Sequence, residues 1–165
     1  MKLKINLFNL IIYFNLNYCC VEDMYKKILL PTDGSEYAEK EIDRALNVLA
    51  DDGEIIIVSV AKKLRAAQFQ SKKYIRELNE TSLKESEKNV EEMDKKIPDN
   101  IKTTTKVAVG FPAEVINDIA EEEDVDLVVI SSSGKSGIHK FFLGSVAEKV
   151  VSTVEKDVLL IHNTD

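Results

Sequence analysis

Gly134, Gly144 and Ser145 stand in the segment SSSGKSGIHKFFLGSVAE, residues 131–148, which is dense in small and polar residues. The glycines leave backbone amides open to an approaching anion, and Lys135 and Lys140 bring mobile positive charge. Gly144 directly precedes a helical pattern, and a helix start offers unpaired amides and partial positive charge. That combination can seat a phosphate. The same letters also have a purely structural use. Ser145-x-x-Glu148 is a capping box, whose cap stabilises a helix by about 1 kcal/mol with or without a ligand. Spacing alone leaves both uses open. Gly134-Lys135-Ser136 copies the end of a P-loop, but that motif needs a glycine five residues before Gly134, where Val129 stands.

Asp33, in the turn Thr32-Asp-Gly-Ser-Glu36, has two uses of the same kind. It can accept a hydrogen bond from an adenine amine or a ribose hydroxyl, or cap a helix through Asp33-x-x-Glu36. His139 and His162 have no Cys, His or carboxylate at metal-ligand spacing. No Gly-x-Ser-x-Gly, acid pair or Cys/His pair offers covalent or acid–base catalysis.

Elements at helical and strand periods position these loops. Lys27–Pro31, Glu54–Val60, Asp126–Ile130 and Val158–Ile161 read as buried strands, and Lys102–Val109 alternates as a strand with one wetter face. Ala38, Ile42, Ala45, Leu46 and Leu49 line one face of a first helix, which Ser35 can cap and Asp51-Asp-Gly53 stops. Residues 62–96 are charged and hold an imperfect stripe of Leu64, Ala67, Ile75, Leu78, Leu83, Val90 and Met93. This stretch predicts a long or broken helix with a solvated face. Pro112 suits the first turn of a third helix with Val115, Ile116, Ile119 and Ala120 on its apolar face. Ser145–Val154 is the fourth helix. Strands alternating with helices predict a single α/β domain, a five-stranded parallel sheet with helices on both faces. Ligands bind such sheets at the carboxyl ends of the strands, where the winding reverses.

The chain has 165 residues, 44% hydrophobic and 31% charged, with a net charge of -7. One domain with a proper core is the expected scale. An acidic chain gains no general attraction to nucleic acid or anionic membrane, so a phosphate site must be local. The adjacent Cys19 and Cys20 give no disulfide framework. Residues 1–23 begin with Lys2 and Lys4 and then turn apolar, but Asn6, Asn9, Asn15 and Asn17 interrupt the run. It falls short of the roughly 20 apolar residues of a membrane span. Met24 then opens a strand-like segment. The expectation is that the fold starts at Met24 and that residues 1–23 lie outside it, the alternative being a loosely attached tail or interfacial anchor.

MYKKILLPTDGSE at residues 24–36, Gly110-x-Pro112, and DLVVISSSGKSGIHKFFLGSVAEKV from Asp126 together resemble the universal stress protein family over residues 24–165. The resemblance implies an adenine-nucleotide α-hydrolase-like, Rossmann-like sheet and a homodimer paired through Val158, Leu159, Leu160 and Ile161. The family's nucleotide-binding pattern, Gly-x2-Gly-x9-Gly-Ser/Thr, falls on Ser131, Gly134, Gly144 and Ser145, with Ser131 replacing the first glycine. The resemblance implies adenine against Pro31, Thr32, Asp33 and Val60, and ribose near Asp33, Ile130 and Ser131. It places phosphates at Ser133, Gly134, Gly144, Ser145 and the amides of Val146 and Ala147. ATP, or ADP or AMP, is the implied ligand, with Mg2+ or Mn2+ held by its phosphates. The expected role is a cytoplasmic, nucleotide-responsive stress protein with protein partners still to be found, and any hydrolysis slow, because no positioned base or arginine finger is visible. Two alternatives stand beside it: a member of the family that ignores nucleotide and works through protein contacts, and a slow ATPase or nucleotidyl transferase.

Overall fold

Runs of β-branched and aliphatic residues build the centre of the molecule. A computed structural model describes residues 4–7, 10–13, 24–62, 64, 71–132 and 143–162. In chain order the elements are β1 (Lys4–Leu7), β2 (Leu10–Tyr13), β3 (Tyr25–Pro31), α1 (Ala38–Leu46), β4 (Leu49–Ala61) and α2 (Lys72–Asp94), then β5 (Lys102–Val109), α3 (Pro112–Glu122), β6 (Leu127–Ser131), α4 (Ser145–Thr153) and β7 (Asp157–Ile161).

The strands lie in the order β1-β2-β7-β6-β3-β4-β5. The five strands β7, β6, β3, β4 and β5 are all parallel, as the alternating pattern predicts. Chain order runs outward from β3 through β4 to β5 on one side, then returns to β6 and β7 on the other. The winding therefore reverses between β3 and β6. Successive side chains of a strand point to opposite faces, so the parallel strands feed two cores. Ile28, Leu30, Ile55, Ile57, Leu127 and Val129 pack under α1 and α2 with Ile42, Ala45, Val90 and Met93. Leu29, Ile56, Val58, Val128 and Ile130 pack under α3 and α4 with Ile116, Ile119, Ala120, Ala147 and Val150. Burying such side chains contributes about 1.5–3 kcal/mol each before conformational entropy is subtracted.

Residues 1–23, expected outside the fold, contain two short strands. β1 runs antiparallel to β2, and β2 lies parallel to β7 with Leu10 opposite Val158 and Ile11 opposite Leu159. The β7 edge that the family resemblance offers to a second copy therefore carries β2 over those two residues.

One boundary differs from the sequence reading. The first helix does not reach Leu49. It ends at Leu46, where Asn47 Nδ2 donates to the Asp43 carbonyl at 2.6 Å. Leu49 is buried as the first residue of β4, opposite Tyr25. Asp51-Asp-Gly53 is strand, not a helix stop. A Cβ at Gly53 would come within 2.6 Å of Leu49 Cδ1, so the glycine makes room for that leucine.

Candidate functional site

Three strand ends and residues of all four helices line a cavity of about 420 Å³ at the point where the winding reverses. That volume is in the range of small-molecule sites. The floor comes from the carboxyl ends of β3, β4 and β6: Pro31, Thr32 and Asp33; Val58, Ser59 and Val60; Ile130, Ser131 and Ser132. Gly144, Ser145, Val146 and Ala147 at the start of α4 form one wall. Ser82, Glu85, Ser86 and Asn89 of α2 form another, and Glu41 of α1 closes the back.

The turn after β3 is held by its own side chains. Thr32 Oγ1 accepts the Gly34 amide at 3.1 Å, and Asp33 Oδ1 accepts the Ser35 amide at 3.0 Å. Gly34 has φ +73°, and a Cβ there would sit 2.2 Å from Asn89 Oδ1. Only glycine lets the turn pass this close to α2. Ser35 does not cap α1, as the sequence reading allowed. The N-cap is Tyr37, with no side-chain hydrogen bond, because Ser35 is taken up in the Asp33 turn.

The capping box at Ser145 does not form either. Gly144 is the N-cap of α4, with φ -63° and ψ 146°, and its amide donates to the Ser132 carbonyl at 2.6 Å. Ser145 is already in the first turn. Among the described residues no side chain caps the helix, and its first-turn amides meet the cavity, an arrangement suited to an anion.

The residue in the first motif position behaves unlike a glycine. The Ser131 amide donates to Glu41 Oε1 at 2.8 Å. Ser131 Oγ is itself buried. Glu41 is only 4% exposed. Burial pushes its carboxyl up from 4.5 to about 7; the hydrogen bonding from Ser131 works against this rise, and the Asp33 charge adds to it. Ser132 is buried beside it, its Oγ 3.2 Å from His162 Nδ1. Among the described lining residues the ionisable side chains are three acids, Asp33, Glu41 and Glu85, and one base, Lys62.

Of the residues singled out in the sequence, Pro31, Thr32, Asp33, Val60, Ile130, Ser131, Gly144, Ser145, Val146 and Ala147 all line this one cavity. Ser133 and Gly134, with Lys135, His139 and Lys140, lie outside the described residues. Sequence reasoning missed Glu41 and the α2 wall. Ser86 and Asn89 are buried polar residues three apart inside a segment read as a solvated face. Their signal was small polar residues on the side of Val90 and Met93. Glu41 shares the spacing of Ala38 and Ala45, so an acid on that face was visible. The helical stripe otherwise holds only in part: Ile75, Val90 and Met93 are buried, whereas Leu64 and Leu83 are exposed.

The sequence profile of the universal stress protein family matches residues 24–162. The chain belongs to the universal stress protein family. A universal stress protein of Methanocaldococcus jannaschii is 33% identical over 144 residues, covering 85% of this chain and 84% of the relative. One from Methanothermobacter thermautotrophicus is 36% identical over 135 residues, covering 78% and 90%. A second M. jannaschii member, 30% identical over 154 residues, has a solved structure reported as a structure-based assignment of biochemical function. That structure superposes with a TM-score of 0.73, covering 86% of this chain and 99% of the other. Members of the fold solved in complex with cAMP, and with dAMP from Archaeoglobus fulgidus, superpose at TM-scores of 0.52 and 0.53 with 24% and 20% identity. Among the described residues no helix is long and apolar enough to cross a membrane.

Proposed function

We propose that this universal stress protein is a regulatory protein whose cavity at the β3–β6 reversal binds an adenine nucleotide, ATP first among them. One observation carries the reading. The start of α4, with no side-chain cap among the described residues, opens on the same cavity of about 420 Å³ as the carboxyl ends of β3 and β6. Adenine would lie over Pro31, Thr32 and Val60, ribose beside Asp33 and Ser131, and phosphates at Gly144, Ser145 and the amides of Val146 and Ala147. Mg2+ or Mn2+ would be carried by the phosphates and would offset their charge in an acidic pocket. The complexes of other family members with cAMP and dAMP add support from proteins of the same fold. On this reading occupancy, not turnover, is the signal, shifting a conformational or oligomeric equilibrium. A homodimer through β7 would need β2 to yield Val158 and Leu159.

The test is calorimetric titration of ATP with Mg2+ into the wild type and Gly144→Val. Gly144 has ordinary extended φ and ψ, so valine fits the backbone while its branched side chain fills the mouth of the phosphate seat. Binding in the wild type, weakened at least about tenfold in the variant, is expected. Absence of binding in the wild type favours the second reading, a family member acting through protein contacts alone. The engagement of the Ser131 amide by Glu41 favours that reading, because it removes a donor from the ligand's side.

A further inference from the structure

Glu41 is a carboxyl group placed where a polyanion would bind. It rises from α1 behind the end of β6, lines the cavity, and holds the Ser131 amide at 2.8 Å. Among the described residues no lysine, arginine or histidine forms an ion pair with it. The elements around it bring little compensating charge. β6 contributes Leu127–Ser131, none of them ionisable. The turn after β3 contributes Asp33, of the same sign. β7 is followed by His162, which contacts Ser132 and not Glu41. Across the cavity stand Glu85 of α2 and Lys62 after β4. Ionising Glu41 would place a negative charge, without a cationic partner among the described residues, in the cavity proposed to take the phosphates, a state opposed by both desolvation and Coulomb repulsion.

We propose that Glu41 links occupancy of the cavity to pH, the nucleotide binding with Glu41 protonated, so that at alkaline pH each binding event takes one proton from solvent. The inference rests on the nucleotide reading above and adds to it a proton as a second ligand. Protonated Glu41 still accepts the Ser131 amide and gains an O–H to donate, while the site loses one negative charge. The linkage has a definite sign. Burial holds the carboxyl at about 7 in the empty protein, so below that value Glu41 is already neutral and affinity is flat. Above it, protonating Glu41 becomes part of the cost of binding, and affinity falls by up to about tenfold for each further pH unit.

The experiment is calorimetric titration of ATP in saturating Mg2+, which keeps the ligand's own phosphates deprotonated throughout. It is run at about pH 6 and about pH 8.5, each in two buffers of different ionisation heat, on the wild type and Glu41→Gln. The expected wild-type result is a loss of at least about tenfold in affinity at the higher pH, with close to one proton taken up there and almost none at the lower. Glu41→Gln, isosteric and unable to ionise, should keep the low-pH affinity at both values with no uptake. A thermal melt of each protein verifies that both are folded. Wild-type binding of equal strength at both pH values, without proton uptake, overturns the inference and leaves the nucleotide reading intact. Equal pH dependence in Glu41→Gln overturns the assignment to Glu41. Absence of ATP binding at either pH overturns the nucleotide reading, and the inference with it.

Discussion

The two ends of the sheet treat charge in opposite ways. At the amino end, charges are paired. Glu54 meets Lys27 at 3.2 Å and Lys102 at 2.5 Å, Glu123 contacts Lys106, and Lys156 reaches Asp124 at 2.6 Å. Asp126 Oδ2 accepts the amides of Lys26 and Lys27 at 3.0 and 2.8 Å. The lysines hold Glu54, Glu123 and Asp124 below the usual carboxylate range. At the carboxyl end, Glu41 is buried against an amide with no cationic partner among the described residues, and its pKa moves the other way. Pairs at the amino end lie at the rim, half-buried or exposed, and each contributes little to stability. The unbalanced end is the costly one, and the cost is concentrated where the cavity lies. A fold that neutralises one end of its sheet and leaves the other unneutralised keeps that second end available for a ligand.

Removing the unbalanced charge should give the largest effect. The folded pKa of Glu41, about 7, lies above the ordinary 4.5, so stability present at low pH is lost as pH rises between those values. Across that window the loss is roughly 3 kcal/mol, by the conversion of 1.36 kcal/mol per pKa unit. Glu41→Gln should abolish this loss and make the protein more stable than wild type above about pH 7, as read from urea unfolding at several pH values. An unchanged wild-type stability from about pH 5 to about pH 8 would erase the contrast between the ends.

A smaller effect is expected from Gly34→Ala, which leaves charge alone and tests the geometry of the same end. Its positive φ and the 2.2 Å approach to Asn89 Oδ1 predict a loss of roughly 1–2 kcal/mol and a displaced α2 wall. Thermal unfolding together with the ATP titration would read both consequences. Wild-type stability in the variant would mean that the turn relaxes freely.

Smallest of all should be Glu54→Gln at the paired end. A carboxylate held low contributes stability above its unfolded pKa and loses it as pH falls through the folded value. Because the pair sits at the rim with the Lys102 side chain exposed, the loss at neutral pH should stay below about 1 kcal/mol and fade in high salt. A cost exceeding that of Gly34→Ala, measured by urea unfolding, would show that the amino end is more than a neutralised rim.

Much of this contrast was legible in the sequence. Uninterrupted runs such as Ile55–Val58 and Leu127–Ile130 announce strands buried on both faces, and Pro112 marks the start of α3. Gly144 and Asp33 stood out as candidate ligand positions in short polar loops, and both line the cavity. What escaped were features set by partners distant in the chain. Leu49 looked helical until pairing with Tyr25 drew it into β4. Ser145 fits a capping box by spacing, yet the backbone turns into α4 one residue earlier, at Gly144. Glu41 shows in the helical spacing as an acid near the apolar face, but its partner, the Ser131 amide 90 residues away, is conveyed by no periodicity.

The central claim, that the unbalanced end of the sheet is the ligand end, is tested most directly by amide NMR during titration with ATP and Mg2+. The account predicts saturable shifts at Thr32–Ser35, Ser131, Ser132 and Ser145–Ala147, with Lys27, Glu54 and Lys102 unmoved. Shifts centred on the lysine-paired end, or none at Ser131 and Ser145–Ala147 at saturating nucleotide, would contradict it.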